Sequence, residues 1–165
     1  TVYSIGALVD NVFSRGPRRK AKLIQRQKEL ILQSGLFRHE NYLKKANPEH
    51  LAGYDPLEHF LLFGNSMRID PHPLFDIDFY LERNPDVEVG RANALVHFLE
   101  HGWRERRDPH PLFDLAYVAS QNIGAGNPLL AYLRSGGRDV DPCPYFDTRH
   151  YLSRLAPADS GGGTP

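Results

Sequence analysis

Apolar residues recur along the chain in short clusters at helical spacing, and Asn, Asp, Gly and Pro stand between the clusters. Leu95, Phe98 and Leu99 lie at i, i+3 and i+4 and so share one helical face. Leu57, Phe60 and Leu61 repeat that face, and Leu129, Tyr132 and Leu133 repeat it again. Asp55, Asn93 and Asn127 stand where each of these helices starts, and Pro56 and Pro128 take the first helical position, where a missing N–H costs nothing. Gly64, Gly102 and Gly136 follow, and the spacing predicts a left-handed stop there, where a residue without Cβ is favoured. A second type of cluster precedes each of these. Asp76 can cap a helix that carries Ile77, Phe79, Tyr80 and Leu81, and Asn84-Pro85 is predicted to end it, because the residue before proline avoids helical angles. Apolar–polar alternation is absent, so strands are not predicted.

The two clusters together form a repeat. Phe37, Phe75, Phe113 and Phe146 fall 38, 38 and 33 residues apart. Asp76, Asp114 and Asp147 follow three of them, and Arg38 follows the first. Five residues beyond the phenylalanine come Tyr42-Leu43, Tyr80-Leu81 and Tyr151-Leu152, but Val118-Ala119 in the third copy. The third period is shorter by five residues, all lost between the predicted elements. The reading is all-α: a tandem array of short helix-pair repeats over residues 36–73, 74–111 and 112–144, with a partial copy over 145–155. Helices of about eight residues are unstable alone, so each must gain stability from its neighbours. The phenylalanine heading each copy is expected to plug the joint between units.

The N-terminal 35 residues follow a different pattern. Leu23, Ile24, Leu30 and Ile31 mark one apolar stripe on a longer helix over 17–34, closed by Gly35 and expected to cap the first repeat. Residues 1–13 hold an apolar patch too short to cross a bilayer. Residues 156–165 are small and glycine-rich and read as a linker, and both ends read as cut from a longer chain. The 165 residues suit one domain with a tail, and 41% hydrophobic residues exclude general disorder. Twenty basic residues balance twenty acidic ones, which excludes a polycation built for nucleic acid. The charge is nonetheless uneven: residues 1–35 carry a net +5. Arg15, Arg18, Arg19 and Lys20 form one basic cluster, and Arg104, Arg106 and Arg107 form a second behind Trp103. These eight residues are the candidate interaction surface, for an anionic membrane, a glycan stacked on Trp103, or a partner protein.

Candidate chemistry is thin. Asp76-Ile77-Asp78 has the spacing of a divalent-metal motif, but Asp76 already holds the repeated cap position. His97 and His101 are four apart on a helix and could face one metal, yet sequence places no third ligand. His97 aligns with His59, which favours a packing or hydrogen-bonding role. Cys143 is alone, so no disulfide framework exists, and nothing assembles a nucleophile's setting around it. No phosphate-binding glycine loop is present. No catalytic residue, cofactor or metal is assigned.

The second copy carries a family likeness. Its run Leu74-Phe75-Asp76, Tyr80-Leu81, Asn84-Pro85-Asp86-Val87, Asn93-Ala94-Leu95, His97-Phe98-Leu99 and Gly102-Trp103-Arg104-Glu105 resembles tandem repeats that accompany bacterial glycosyltransferases of polysaccharide synthesis. The resemblance covers about residues 34–155; the first copy departs from it at Arg38, and the third lacks the Asn-Pro-Asp-Val. It implies a cytoplasmic, non-catalytic accessory module outside the catalytic domain. Its partners would be that domain or another protein, with a glycan or an anionic membrane surface as further contacts, and no nucleic acid. A membrane- or cell-surface interaction module is the alternative, and a small metal-dependent enzyme using His97 and His101 is the third reading.

Overall fold

The computed structural model describes residues 16–46, 51 and 53–155. Arg15 and the apolar patch of residues 1–13, like the linker of residues 156–165, lie outside the described residues. The protein is mostly helical, and no strand occurs among the described residues. None of the described helices is long and apolar enough to cross a membrane. The chain divides into two compact units, Thr1–Pro111 and Leu112–Pro165.

In the first unit, α1 (Pro17–Ser34) starts on a proline and ends at Gly35, whose φ of 71° is left-handed. Next come α2 (His39–Lys45) and α3 (Pro56–Met67), which pack on one another. Helix α4 (Ile77–Arg83) leads directly into α5 (Pro85–Val89), and both pack on α6 (Ala94–His97). Helix α6 continues as a π-helical turn over Phe98–Gly102. Helix α1 lies across α3, α6 and that π turn, burying Ile31 completely. The second unit pairs α7 (Leu115–Ser120) with α8 (Pro128–Ser135) and ends in α9 (Thr148–Leu155).

The helix starts form as the sequence leads one to expect. Asp76, Asp114 and Asp147 each accept a backbone N–H three residues on, from Phe79, Tyr117 and His150, all at 2.8 Å. Asp55 and Asn93 do the same for Glu58 and Val96 at 3.2 Å, and Asn127 accepts from Leu129 at 3.0 Å. Arg38 has no acceptor to offer, and α2 starts without a side-chain cap.

The same positions are tied a second time. The backbone N–H after each of the first three phenylalanines donates to the proline carbonyl of the following Asp-Pro: Arg38 to Pro71 at 2.9 Å, Asp76 to Pro109 at 3.0 Å, Asp114 to Pro142 at 2.9 Å. The aspartate of that dipeptide reaches onward. Asp70 accepts from the N–H of Ile77 at 3.0 Å, and Asp141 from Thr148 at 2.7 Å, in each case the first residue of the next copy's first helix. Asn65 adds a two-pronged clamp on the start of α6, donating to the Ala92 carbonyl at 2.6 Å and accepting from Ala94 at 3.0 Å.

Two expectations need correction. Gly64 and Gly102 do not have positive φ; α3 runs on past Gly64 and stops at Arg68, itself left-handed at φ 52°. These glycines answer to crowding instead. A Cβ on Gly64 would run into the Phe60 ring, and one on Gly102 would strike the Tyr80 hydroxyl. Gly136 alone behaves as anticipated, with φ of 71°. Asn84-Pro85 ends α4, but the proline then opens α5, a helix the pattern did not suggest. Phe75 meets Tyr80 and Phe98 of its own copy at 5.3 and 5.5 Å between ring centroids, and Phe113 meets Tyr132 at 5.2 Å.

Phe75 and Phe113 are 0% and 1% exposed, each the centre of its copy's core. Phe75→Ala and Phe113→Ala will each cost about 3–5 kcal/mol, measured by thermal or denaturant unfolding. A neutral result at either position would exclude this packing scheme.

Candidate functional site

The most distinctive polar groups are two tyrosine–histidine pairs, the first buried and the second part-buried. The Tyr42 hydroxyl and His59 Nδ1 are 2.7 Å apart; the Tyr80 hydroxyl and His97 Nδ1 are 3.0 Å apart. In both pairs the partners stand 17 residues apart in sequence. The first-helix tyrosine faces the second-helix histidine because cap and turn residues fix the register of the two helices. When the ring carries its proton on Nε2, the phenol donates to Nδ1. The third copy has Val118 and Ala131 at the corresponding places, both buried. Donor and acceptor have been lost together, so neither is left unsatisfied.

These pairs are poorly suited to acid–base work. Burial pushes both phenols well above their ordinary range. Burial, with the nearby Arg107, holds His97 below the usual imidazole value. The shifts of both phenols and of His97 favour the neutral form.

The candidate metal residues are bound into the fold. Asp76 caps α4, and Asp78 pairs with Arg68 at 3.4 Å. The His97 and His101 rings lie 5.6 Å apart, but His97 Nδ1 is held by Tyr80. Among the described residues, no group of three His, Cys, Asp or Glu is placed to hold a metal ion. Cys143 is half-buried, and its carbonyl closes a turn by accepting from Phe146 at 3.2 Å.

The candidate interaction residues divide into two sets. Trp103 is half-buried; its indole N–H donates to the Leu99 carbonyl at 3.2 Å, in the π turn. The Arg104 guanidinium lies 4.5 Å from the Trp103 ring centroid and also donates to the Glu100 carbonyl. Together they close the end of the helix, and one face of the indole is covered. Arg107 is drawn inward between Asp86 at 2.8 Å, Glu105 at 2.6 Å and the Asn84 side chain at 3.0 Å. Its hydrogen bond holds Asp86 below the ordinary carboxylate range. Trp103 and Arg107 thus make contacts within the fold, while Arg104 and Arg106 of the same cluster are exposed. Arg18, Arg19 and Arg106 are exposed, and Lys20 is half-buried. Arg26, 75% exposed at its side chain, reaches Glu100 at 3.3 Å, so the face of α1 that carries Lys22 and Arg26 borders the Arg104 turn.

Sequence inspection singled out His97 but not the tyrosine it bonds. The signal was the shared interval of 17 residues and the joint loss of both partners in the third copy. No family model, curated protein or solved structure matches the chain.

Two predictions follow from this geometry. Gly102→Ala forces the Tyr80 hydroxyl off His97 and will destabilise the protein by about 1–3 kcal/mol in denaturant unfolding. The second concerns pH. Burial, then the charge of Arg38, pushes His72 down to about 4, and its Nδ1 accepts the Leu74 N–H at 3.1 Å. His97 is shifted in the same direction. The unfolded chain therefore takes up these protons first as pH falls. Stability is complete above about pH 6.5, falls below that by up to about 1.4 kcal/mol per pH unit for His72 and levels off near pH 4, and His97 adds to the fall in the same direction. Denaturant midpoints between pH 7.5 and 4 check this, and His72→Gln should flatten the curve.

Proposed function

We propose that this chain is a non-catalytic scaffold built from tandem helix-pair repeats, with α1 as the helix that closes its N-terminal side. On this reading it is an accessory module of a bacterial glycosyltransferase of polysaccharide synthesis, acting in the cytoplasm to hold a catalytic domain or partner protein beside its glycan. The observation that carries the reading is where the recurring polar residues go. The aspartates, asparagines and histidines that repeat along the sequence are engaged in helix caps, interhelical ties and buried pairs. Nucleotide-sugar transfer needs a nucleotide crevice, which in open α/β sheets lies beyond the strand ends. Among the described residues the named elements are all helices.

A second reading, attachment to an anionic membrane surface, draws on one feature. The first turn of α1 holds Arg18 and Arg19 and no acidic residue, an arrangement unfavourable for the helix macrodipole on its own.

Purified protein incubated with a panel of uridine-, guanosine- and cytidine-linked sugars should release no nucleotide and transfer no sugar. Turnover above the buffer background would reject the scaffold reading. Flotation with phosphatidylserine vesicles separates the second reading. Salt-sensitive binding lost in the triple variant Arg18→Glu, Arg19→Glu, Lys22→Glu supports it, and no binding at low salt rejects it.

A further inference from the structure

Helix α1 is built against its own electrostatics. Arg18, Lys22 and Arg26 recur every four residues along it and so stand in one row, with a rise of about 6 Å from one to the next. Like charges at this spacing disfavour a helix. Arg18 and Arg19 also fill a first turn that has no acidic residue, where the macrodipole favours carboxylates. Other helices follow that preference: Glu58 stands in the first turn of α3, Asp78 in that of α4, and Asp86 and Glu88 in that of α5. Elsewhere the cations are matched as well, since Lys28, Lys45, Arg68 and Arg107 each pair with a carboxylate. The exposed side chains of Arg18, Arg19 and Lys22 pair with none among the described residues.

The row has a fixed neighbour. Arg26 reaches Glu100 at 3.3 Å, and the Arg104 guanidinium, stacked on Trp103, donates to the Glu100 carbonyl. Arg26 and Arg104 therefore flank one residue, and the cations of α1 continue onto the turn that follows the π helix. Beside the row stand Ala21 and Gln25, both exposed, and the Gln25 amide donates to Glu29 at 2.9 Å. Between Arg18 and Arg26 no aromatic or leucine is exposed to enter a bilayer next to the charges. The exposed Leu32 lies more than a turn beyond Arg26. The same stretch lacks the apolar centre on which protein–protein interfaces depend.

We propose that this row binds a carboxylate-bearing polysaccharide, laid along α1 from Arg18 to Arg26 and onward to Arg104. A uronate polymer presents carboxylates at regular intervals on a hydrophilic chain. That is the complement of regularly spaced cations on a hydrophilic helix face. Three of the four cations are arginines, whose planar fork takes a carboxylate through two parallel N–H donations. Nucleic acid shares the charge, but between Arg18 and Arg26 no aromatic side chain stands to stack its bases. The Glu100 carboxylate is the opposing element: it repels the ligand and draws Arg26 to itself in the free protein. The proposal rests on the reading of the chain as a scaffold that holds a glycan, and it names that glycan's chemistry.

The test titrates the full chain with alginate oligosaccharides, followed by calorimetry and amide shifts, with neutral dextran as the control. Saturable binding is expected at low salt, with shifts in α1 and the turn from Glu100 to Arg104, and an affinity that falls as salt rises. Lys22→Gln should weaken binding about two- to fivefold, the worth of one exposed charge pair, and leave the melting temperature unchanged or raised. The triple variant Arg18→Gln, Lys22→Gln, Arg26→Gln should abolish binding. Glu100→Gln should tighten it by up to about fivefold, because Arg26 is freed and the opposing charge removed. A row that served the fold alone would show no such gain. No saturable binding at low salt, equal binding of dextran, or an affinity unmoved by the triple variant or by Glu100→Gln overturns the proposal. A lowered melting temperature in Lys22→Gln overturns it as well. Tighter binding of phosphatidylserine vesicles or of a DNA oligonucleotide would assign the row to that polyanion and overturn it too. The scaffold reading is judged separately by the nucleotide-sugar panel: no turnover beside a failed titration rejects only the polysaccharide.

Discussion

The architecture depends on fastening the ends of helices too short to stand alone. Helix α4 has seven residues and α7 six, below the length at which intrahelical bonds outweigh chain entropy. The remedy is local and repeated. An aspartate caps the first helix, that aspartate's own backbone N–H donates to a proline carbonyl about thirty residues on, and the aspartate before such a proline holds the next first helix. Each cap contributes on the order of 1 kcal/mol. Their larger effect is geometric, because a helix pinned at its start has one register in which its apolar face meets its neighbour.

That pinning explains why buried polar pairs are tolerated. A tyrosine hydroxyl and an imidazole nitrogen placed in an apolar core each cost about 1–3 kcal/mol if left unmatched. The fastened helix starts bring Tyr42 to His59 and Tyr80 to His97 in both copies, with nearly the same separation. The third copy shows the other stable solution, with Val118 and Ala131 in place of both partners. A core with only one of the two would be worse than either.

Much of this was legible from the sequence. The helix starts were readable because Asp, Asn and Pro act through local backbone chemistry that needs no knowledge of the rest of the fold. The glycines misled for the opposite reason. Glycine is favoured both by left-handed backbone and by close approach, and only the three-dimensional arrangement separates Gly136, which needs the first, from Gly102, which makes room for Tyr80. Trp103 and Arg107 were equally ambiguous. An indole and a guanidinium in a polar run can serve a ligand or a helix end, and here carbonyls and carboxylates already engage them. Helix α5 was missed because the proline that ends one helix is equally suited to open the next.

The basic face of α1 gains its meaning from how firmly that helix is seated. The pairs Arg26–Glu100 and Lys28–Asp55 bring opposite charges to 3.3 and 3.2 Å, but exposed pairs of this kind contribute about 0–1 kcal/mol. Ile31 contributes more, since full burial of such a side chain is worth about 1.5–3 kcal/mol. The helix spans the second helices of two sequence copies. Its basic side is thus carried by a helix packed on the same core, and on the proposed reading recognition there would not have to include the entropy of ordering the helix.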